Sequence, residues 1–155
     1  MPKIAVPEIA VNDLLIREIA AEDAAAAASL SAELGYPVSP DIMSRRIELL
    51  NRSGGHAVYV ACLSGEVVGW IDVMESHHLQ AEPCAEIGGL VVSGEARSGG
   101  IGRRLVERAE HWARQRGLAR VVVRSRITRE DAHRFYLREG YSRTKTSAVF
   151  AKDLS

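Results

Sequence analysis

The sequence predicts an α/β (α+β) domain in which helices lie on the faces of a mixed central sheet. The chain has 155 residues, which suits one domain with a substantial core. Hydrophobic residues make up 46% and charged residues 26%, as in globular proteins. Short β-rich runs alternate with segments of helical periodicity, and their predicted order is β-α-α-β-β-β-α-β-α-β. We therefore expect a single domain over residues 1–155.

The first part of the chain is predicted to form one strand and two helices. Residues 14–19 (LLIREI) are a short β-rich run. Residues 22–34 are predicted to be helical, because consecutive alanines favour a helix and two leading acidic residues stabilise its N-terminus. Residues 39–50 form a second predicted helix, which begins with a serine cap and a proline.

Three strands follow these helices. Residues 56–63 and 66–74 are β-rich runs separated by Ser64 and Gly65, a pair typical of a hairpin turn. The third strand is predicted over residues 84–92.

The third strand is preceded by a polar segment and contains a pair of glycines. Residues 75–83 are polar and are predicted to form a loop before it. Its Gly88-Gly89 pair is unfavourable in a regular strand, and it predicts a bulge or a close approach of the backbone to a ligand.

The clearest predicted helix follows a glycine-rich segment. Its apolar residues recur at helical spacing and predict one buried stripe, formed by Ile101, Leu105, Ala109 and Trp112. Gly117 stands where a left-handed helix cap is expected.

The remaining elements are predicted as a strand, a helix and a strand. Residues 119–126 have an apolar centre of three valines. A helix is expected from Thr128, as its cap, to Gly140, and residues 141–152 are expected to form a final strand.

Composition excludes several classes of protein. No apolar run approaches the roughly 20 residues of a membrane helix, and the N-terminal residues do not match a secretory signal. Cys62 and Cys84 give no disulfide framework, so a cytoplasmic protein is expected. His77 and His78 with Cys84 match no zinc-binding spacing, so no metal is predicted. Aromatic residues make up only 5%, which disfavours a nucleic-acid partner.

Charge is distributed unevenly along the chain. Residues 1–96 hold 5 Lys/Arg against 14 Asp/Glu, whereas residues 97–145 hold 14 Lys/Arg against 5 Asp/Glu. A basic segment can attract an anion and an acidic one a cation, although two solvated faces without a ligand would give the same pattern.

The glycine-rich segment before the clearest helix has the features of an anion site. The first N–H groups of a helix lack intrahelical partners, and the helix dipole places partial positive charge there. Glycines 99, 100 and 102 leave those groups accessible, while Arg97 and Arg103 add charge. A tight turn without a ligand is the alternative.

Two known phosphate-binding motifs do not fit this segment. A P-loop requires Gly-Lys followed by Ser or Thr, which the chain lacks. A dinucleotide fingerprint requires GxGxxG and an acidic residue near the end of the next strand, but that strand ends in arginines.

The segment RSGGIG (residues 97–102) resembles the acetyl-CoA loop of the GCN5-related N-acetyltransferase (GNAT) family, whose signature is Arg or Gln, two residues, Gly, one residue, then Gly or Ala. The preceding GLVV is similar to the family's cofactor strand. A second family signature is matched by Ala132, Phe135, Tyr136 and Gly140. The resemblance extends from about residue 14 to 154 and implies a mostly antiparallel sheet.

The resemblance implies transfer of an acetyl group from acetyl-CoA to an amine, by direct attack in a ternary complex. It implies cofactor contacts from the cofactor strand and the loop: Leu90, Val91, Val92, Arg97, Ser98, Gly99, Gly100, Ile101, Gly102 and Arg103. The N–H of Leu90 is the expected donor to the thioester carbonyl. A homodimer is also implied.

Catalytic roles are predicted for Tyr136 and Glu86. Tyr136 matches the family tyrosine that protonates, or donates a hydrogen bond to, the leaving thiolate. Glu86 is the expected base for the amine, with His133 as the second candidate. Arg129 stands where the family often has Asn, so the cofactor contact of that Asn is not transferred.

The acceptor is expected to be a small cationic amine. Four acidic residues around the central strands are expected to attract it: Asp72, Glu75, Glu82 and Glu86. Two alternatives stay open, a catalytically silent acyl-CoA-binding sensor or interaction module, and an enzyme that uses another acyl-CoA as donor.

Overall fold

The computed structural model describes residues 13–97 and 99–155 of the chain. The chain consists of two units, Met1–Val123 and Arg124–Ser155. The first unit contains the sheet, with elements β1 (Leu14–Glu18), α1 (Ala24–Leu34), α2 (Pro40–Arg52), β2 (His56–Leu63), β3 (Glu66–His78), β4 (Ala81–Val92), α3 (Ile101–Gln115) and β5 (Val121–Val123). The second unit contains α4 (Glu130–Arg138).

The strands lie in the order β1-β2-β3-β4-β5. The first four pair antiparallel, and β4 pairs with β5 in parallel. The predicted class, a mixed and mostly antiparallel sheet with helices on its faces, is confirmed. The predicted hairpin turn at Ser64-Gly65 is also present, with φ of 52° and 84° at its two residues.

Helices α1 and α2 cover one face of the sheet. Ser39 starts α2 by accepting a hydrogen bond from the Ile42 N–H at 3.2 Å. Burial of the apolar side chains of both helices against β2 builds one part of the core, which contains Ile19, Ala24, Ala27, Ile47, Val58, Val60 and Cys62.

An ion pair fixes the connection between β1 and α1. The Arg17 guanidinium contacts both carboxylate oxygens of Asp23, at 2.8 and 3.0 Å, and the Ala20 N–H donates to the same carboxylate at 2.8 Å. The bond from Arg17 holds the pKa of the buried Asp23 below its usual value.

Helix α3 covers the opposite face. Its predicted stripe is buried, with Leu105 and Ala109 fully inaccessible. An ideal Cβ on Gly69 would lie 3.3 Å from Leu105 Cδ1, so the side of β3 that bears Gly69, Ile71 and Val73 faces this helix.

Strands β3 and β4 run further than predicted. Residues 75–83, predicted to form a loop, continue the ladder with Ser76 opposite Cys84 and His78 opposite Ala81. This two-stranded ribbon extends beyond the core, so its side chains are polar and the alternating pattern of a half-buried strand is lost.

The end of the chain also differs from the prediction. Strand β5 is limited to Val121–Val123, and α4 is capped by Arg129 rather than Thr128. The structure assigns no strand to residues 141–155, where a final strand was expected. Polar residues 142–147 precede an apolar block in which Val149 and Phe150 are exposed, so the segment lacks the alternation that stabilises a strand.

Candidate active site

The N-terminus of α3 presents backbone donors. Gly100 caps the helix in the left-handed conformation, with φ of 79°, and has no side chain to satisfy the first N–H groups. The Arg104 N–H donates to the Gly100 carbonyl at 3.1 Å and forms the first turn. The N–H groups of residues 101–103 therefore precede the intrahelical ladder, as an anion site requires.

Two arginines flank these donors. Arg97 folds back so that its Nε donates to the Val92 carbonyl at 3.2 Å. Arg103 lies on the first turn of α3, with its Nε 3.5 Å from Glu107 Oε2 and its side chain 66% exposed. Ser98, predicted to belong to the same loop, lies outside the described residues.

The predicted bulge in β4 is present. The register passes from Asp72 opposite Gly89 to Val73 opposite Ile87, which leaves Gly88 as the extra residue.

The Gly88-Gly89 pair was predicted to allow either a bulge or a close approach of the backbone to a ligand. In the structure, two side chains of β3 lie close to this backbone. An ideal Cβ on Gly88 would clash with Asp72 Oδ2, and one on Gly89 would lie 3.0 Å from Trp70 Cζ3. Trp70 is held by its Nε1, which donates to the Ala27 carbonyl at 3.3 Å. Both glycines are therefore needed to seat Asp72 and Trp70 against the strand.

The edge of β4 opens just after the bulge begins. Pairing between β4 and β5 ends where Ile87 lies opposite Val123. Among the described residues, β4 has no further strand partner on that side from Gly88 to Val92. Such an edge has unpaired backbone groups that a ligand can use.

Leu90 and Val92 present their backbone to this open side. The Ser93 N–H donates to the Val68 carbonyl at 2.7 Å, so it points toward β3. Backbone groups alternate along a strand, so the N–H groups of Leu90 and Val92 point the other way. Val91 lies between them with a buried side chain, and its predicted cofactor contact stays a prediction.

Asp72 and Glu86 share the sheet face that lies under α1 and α2. Glu86 is opposite Met74, two residues along β3 from Asp72, and all three side chains point to the same face. Burial raises the pKa of Asp72 to about 6, against the effect of a hydrogen bond from the Gly89 N–H, and the charge of Glu86 adds to the rise.

Glu75 does not belong to the same group of acids. It lies opposite Ala85, on the face covered by α3, and its Oε1 accepts a hydrogen bond from Arg116 Nε at 2.7 Å. That bond lowers the pKa of Glu75. The four acids expected to attract the acceptor are therefore divided between the two faces of the sheet.

Tyr136, in the second unit, belongs to a small aromatic group. Its ring makes edge-to-face contacts with Phe135 and Tyr141, at centroid distances of 5.1 and 5.8 Å. Burial raises the pKa of its phenol to about 12, and the charge of Arg129 opposes the rise. The phenol is therefore protonated throughout the neutral range.

His133, the second candidate base, is bound to backbone. Its Nε2 lies 2.8 Å from the Arg126 carbonyl, which can only accept a hydrogen bond. Nε2 must therefore carry a proton, and only Nδ1 is left to accept one.

No group of three or more potential metal-ligating side chains occurs within residues 13–97 and 99–155. In the same residues, no helix has the length and apolar character needed to cross a bilayer.

Gly88→Ala should lower the free energy of unfolding by about 1–3 kcal/mol, because the added Cβ displaces the Asp72 carboxylate. Urea unfolding measures this change. In an Asp72→Ala background the penalty should largely disappear. Gly54→Ala, which has open space around it, is the matched control and should change stability by less than about 0.5 kcal/mol. An equal penalty in both backgrounds would contradict the predicted contact.

The known proteins that this chain resembles include several N-acetyltransferases. An aminoalkylphosphonate N-acetyltransferase of Salmonella typhimurium is 44% identical over 86 residues, which cover 55% of this chain and 56% of the relative. The alignment thus spans little more than half of that protein. An aminoglycoside N(6')-acetyltransferase type 1 of Stenotrophomonas maltophilia is 28% identical over 144 residues, 90% of this chain and 93% of the relative.

Solved structures share the fold. The aminoglycoside N-acetyltransferase AAC(6')-Iy, determined in complex with CoA, superposes with a TM-score of 0.81 at 15% identity, over 91% of this chain and 95% of that one. The family model described as "Acetyltransferase (GNAT) family" matches residues 21–141, more than three quarters of the sequence. The chain therefore belongs to the GNAT acetyltransferase family.

Proposed function

We propose that this protein is an acetyl-CoA-dependent N-acetyltransferase that moves an acetyl group to a primary amine by direct attack within a ternary complex. The observation that carries the proposal is the start of α3, where the left-handed Gly100 leaves three backbone N–H groups without intrahelical partners. The CoA complex of AAC(6')-Iy and the names of both relatives support it.

The chain offers contacts along the length of such a co-substrate. The N–H groups of residues 101–103 and the charge of Arg103 would hold the pyrophosphate. The open edge of β4, at Leu90 and Val92, would pair with the amide groups of the pantetheine arm. Acetyl-CoA supplies the thioester whose acetyl group is transferred.

Leu90 and Tyr136 would stabilise the charge that develops during transfer. The Leu90 N–H would donate to the carbonyl oxygen as negative charge grows there. The Tyr136 phenol has a pKa of about 12, well above the value near 8.5 of an ordinary thiol. It would therefore stabilise the leaving sulfur by donating a hydrogen bond, while the proton itself comes from water.

An acid on the sheet face under α1 and α2 would receive the proton of the amine. An amine with a pKa of about 10.4 is neutral in only about 1 in 2,500 molecules at pH 7, a handicap of about 4.6 kcal/mol. Glu86, predicted from the sequence, lies on this face near a second carboxylate.

We propose a small cationic amine as the acceptor. Both relatives are named for small amine substrates, one an aminoalkylphosphonate and the other an aminoglycoside. A cytoplasmic location and a homodimer, both expected from the sequence, remain part of this proposal.

Calorimetry with acetyl-CoA, CoA, ATP and NAD at physiological salt tests the proposal, followed by a thiol-release assay with aminoalkylphosphonates and aminoglycosides. Binding of acetyl-CoA but not ATP or NAD, with thiol release for at least one amine, is expected. Binding without release for any amine would favour the acyl-CoA-binding module. No binding of any CoA species would overturn the proposed function.

Arg103→Glu should raise the Kd for acetyl-CoA about tenfold, because it places a negative charge beside the pyrophosphate. Arg114→Glu, at the other end of the same helix, is the matched control and should leave the Kd within about twofold. Calorimetry on both variants gives the comparison. An equal effect of the two substitutions would mean that the start of α3 does not hold the phosphates.

A further inference from the structure

We infer that Asp72, rather than Glu86, takes the proton from the attacking amine, while Glu86 acts as a neighbouring negative charge that holds the ammonium group. The inference rests on the proposed function. It assigns a proton acceptor that the sequence indicated only as one of several acidic residues.

The direction from which the amine approaches is set by the two faces of the sheet. On one face Ile71, Val73 and Ile87 are almost completely buried, and Leu105 of α3 packs against that side of β3. An acceptor cannot reach the open edge of β4 through this packed layer. The opposite face is partly accessible here although α1 and α2 lie over it, because Gly88 is exposed and Asp72 and Glu86 are only half-buried. The acceptor therefore approaches from the face that bears Asp72 and Glu86.

Along the strand direction, Asp72 is nearer than Glu86 to the predicted oxyanion donor. Asp72 lies opposite Gly89, the residue directly before Leu90. Glu86 lies four residues before Leu90 and across from Met74, which is about 10 Å along a bulged strand at roughly 3.3 Å per residue. The amine nitrogen must come within about 3 Å of the acetyl carbon, next to the Leu90 N–H.

The Asp72 carboxylate is also held in place, and its pKa is raised. The Gly89 N–H donates to it, and the absence of side chains on Gly88 and Gly89 gives it its position. With a pKa of about 6, it is ionised at pH 7 yet more basic than an ordinary aspartate. Burial is the main cause of this rise in the pKa of Asp72, and the negative charge of Glu86 adds to it.

Asp72 and water account for every proton that moves in the reaction. Asp72 takes one proton from the ammonium ion, and the neutral nitrogen then bonds to the acetyl carbon as the carbon–sulfur bond breaks. The thiolate takes a proton from water, and the excess protons on the new amide and on Asp72 return to water. Ammonium and thioester thus give amide, thiol and one released proton.

Measurement of kcat/KM for the amine against pH, on the wild type and on Asp72→Asn and Glu86→Gln, tests the assignment. The wild-type rate should fall as pH drops below about 6, because Asp72 becomes protonated. Asp72→Asn should lower kcat about 100-fold and abolish this acidic limb, with the Kd for acetyl-CoA unchanged. Glu86→Gln should move the limb to lower pH, since the loss of a negative neighbour lowers the pKa of Asp72.

Two further variants test whether the effect depends on the position of the Asp72 carboxylate. Gly88→Ala displaces the Asp72 carboxylate without altering it and should also lower kcat, by at least tenfold. Glu66→Gln, at the exposed far end of β3, is the control and should leave kcat unchanged.

The outcomes distinguish this inference from the proposed function. If the wild type acetylates an amine, and Asp72→Asn keeps kcat within about threefold together with the acidic limb, the assignment of Asp72 is overturned and the proposed function stands. If the wild type acetylates no amine, the proposed function and this assignment fall together.

Discussion

Leu105→Ala is expected to lower the free energy of unfolding by about 3–5 kcal/mol, a large share of the stability of a domain of this size. Leu105 is completely buried, and it packs against Gly69 of β3, which has no side chain of its own to occupy the space that Leu105 leaves. The loss combines the transfer free energy of the side chain with the cost of a cavity. Urea unfolding followed by circular dichroism measures the change.

The matched control lies two residues further along the same helix. Glu107 is 54% exposed and contacts Arg103 across one turn, so Glu107→Ala should change stability by less than about 0.5 kcal/mol. If Leu105→Ala cost no more than Glu107→Ala, the packing of α3 against the sheet would be wrong. The proposed phosphate site, which is at the start of the same helix, would then lose its support.

Tyr136→Phe should lower kcat about 100-fold while the Kd for acetyl-CoA stays within about twofold. The substitution keeps the edge-to-face packing with Phe135 and Tyr141 but removes the proposed hydrogen bond to the leaving sulfur. The pKa of about 12 also predicts that this phenol contributes no limb to the pH–rate profile between pH 6 and 9. Steady-state kinetics with calorimetry separates the two quantities.

Tyr141→Phe is the control for this prediction. It removes a hydroxyl from the same aromatic group and should change kcat by less than about threefold. An unchanged kcat in Tyr136→Phe would mean that Tyr136 contributes only to packing. The leaving thiolate would then be stabilised by solvent alone. Equal losses in the two variants would indicate a general disturbance of the aromatic group.

Local signals in the sequence predicted the fold class and several local features of the backbone. The left-handed Gly117 after α3, the buried stripe of α3 and the bulge at the Gly88-Gly89 pair depend on residues adjacent in sequence, and all three are present. The position of Ser64-Gly65 in a hairpin turn is equally local.

The role proposed for Asp72 could not be predicted in the same way, because it depends on strand register. Asp72 meets Gly89 only if β3 and β4 are joined by a turn at residues 79–80. That turn lies in a polar ribbon without the glycine or asparagine that usually marks one. For the same reason, the sequence did not show that Glu75 and Glu86 lie on opposite faces of the sheet. A change of one residue in register moves a side chain to the other face.

The ribbon formed by the ends of β3 and β4 bears on how this protein can change during evolution. Its tip adds nothing to the core, since Leu79 is fully exposed and Glu82 and Pro83 are also exposed. Substitutions there carry almost no folding penalty, whereas changes in the glycine pair or in the buried stripe of α3 require compensation elsewhere. Mutations can therefore accumulate at the tip faster than in the rest of the sheet, which makes it the region where new variants of this protein can arise at least cost to stability.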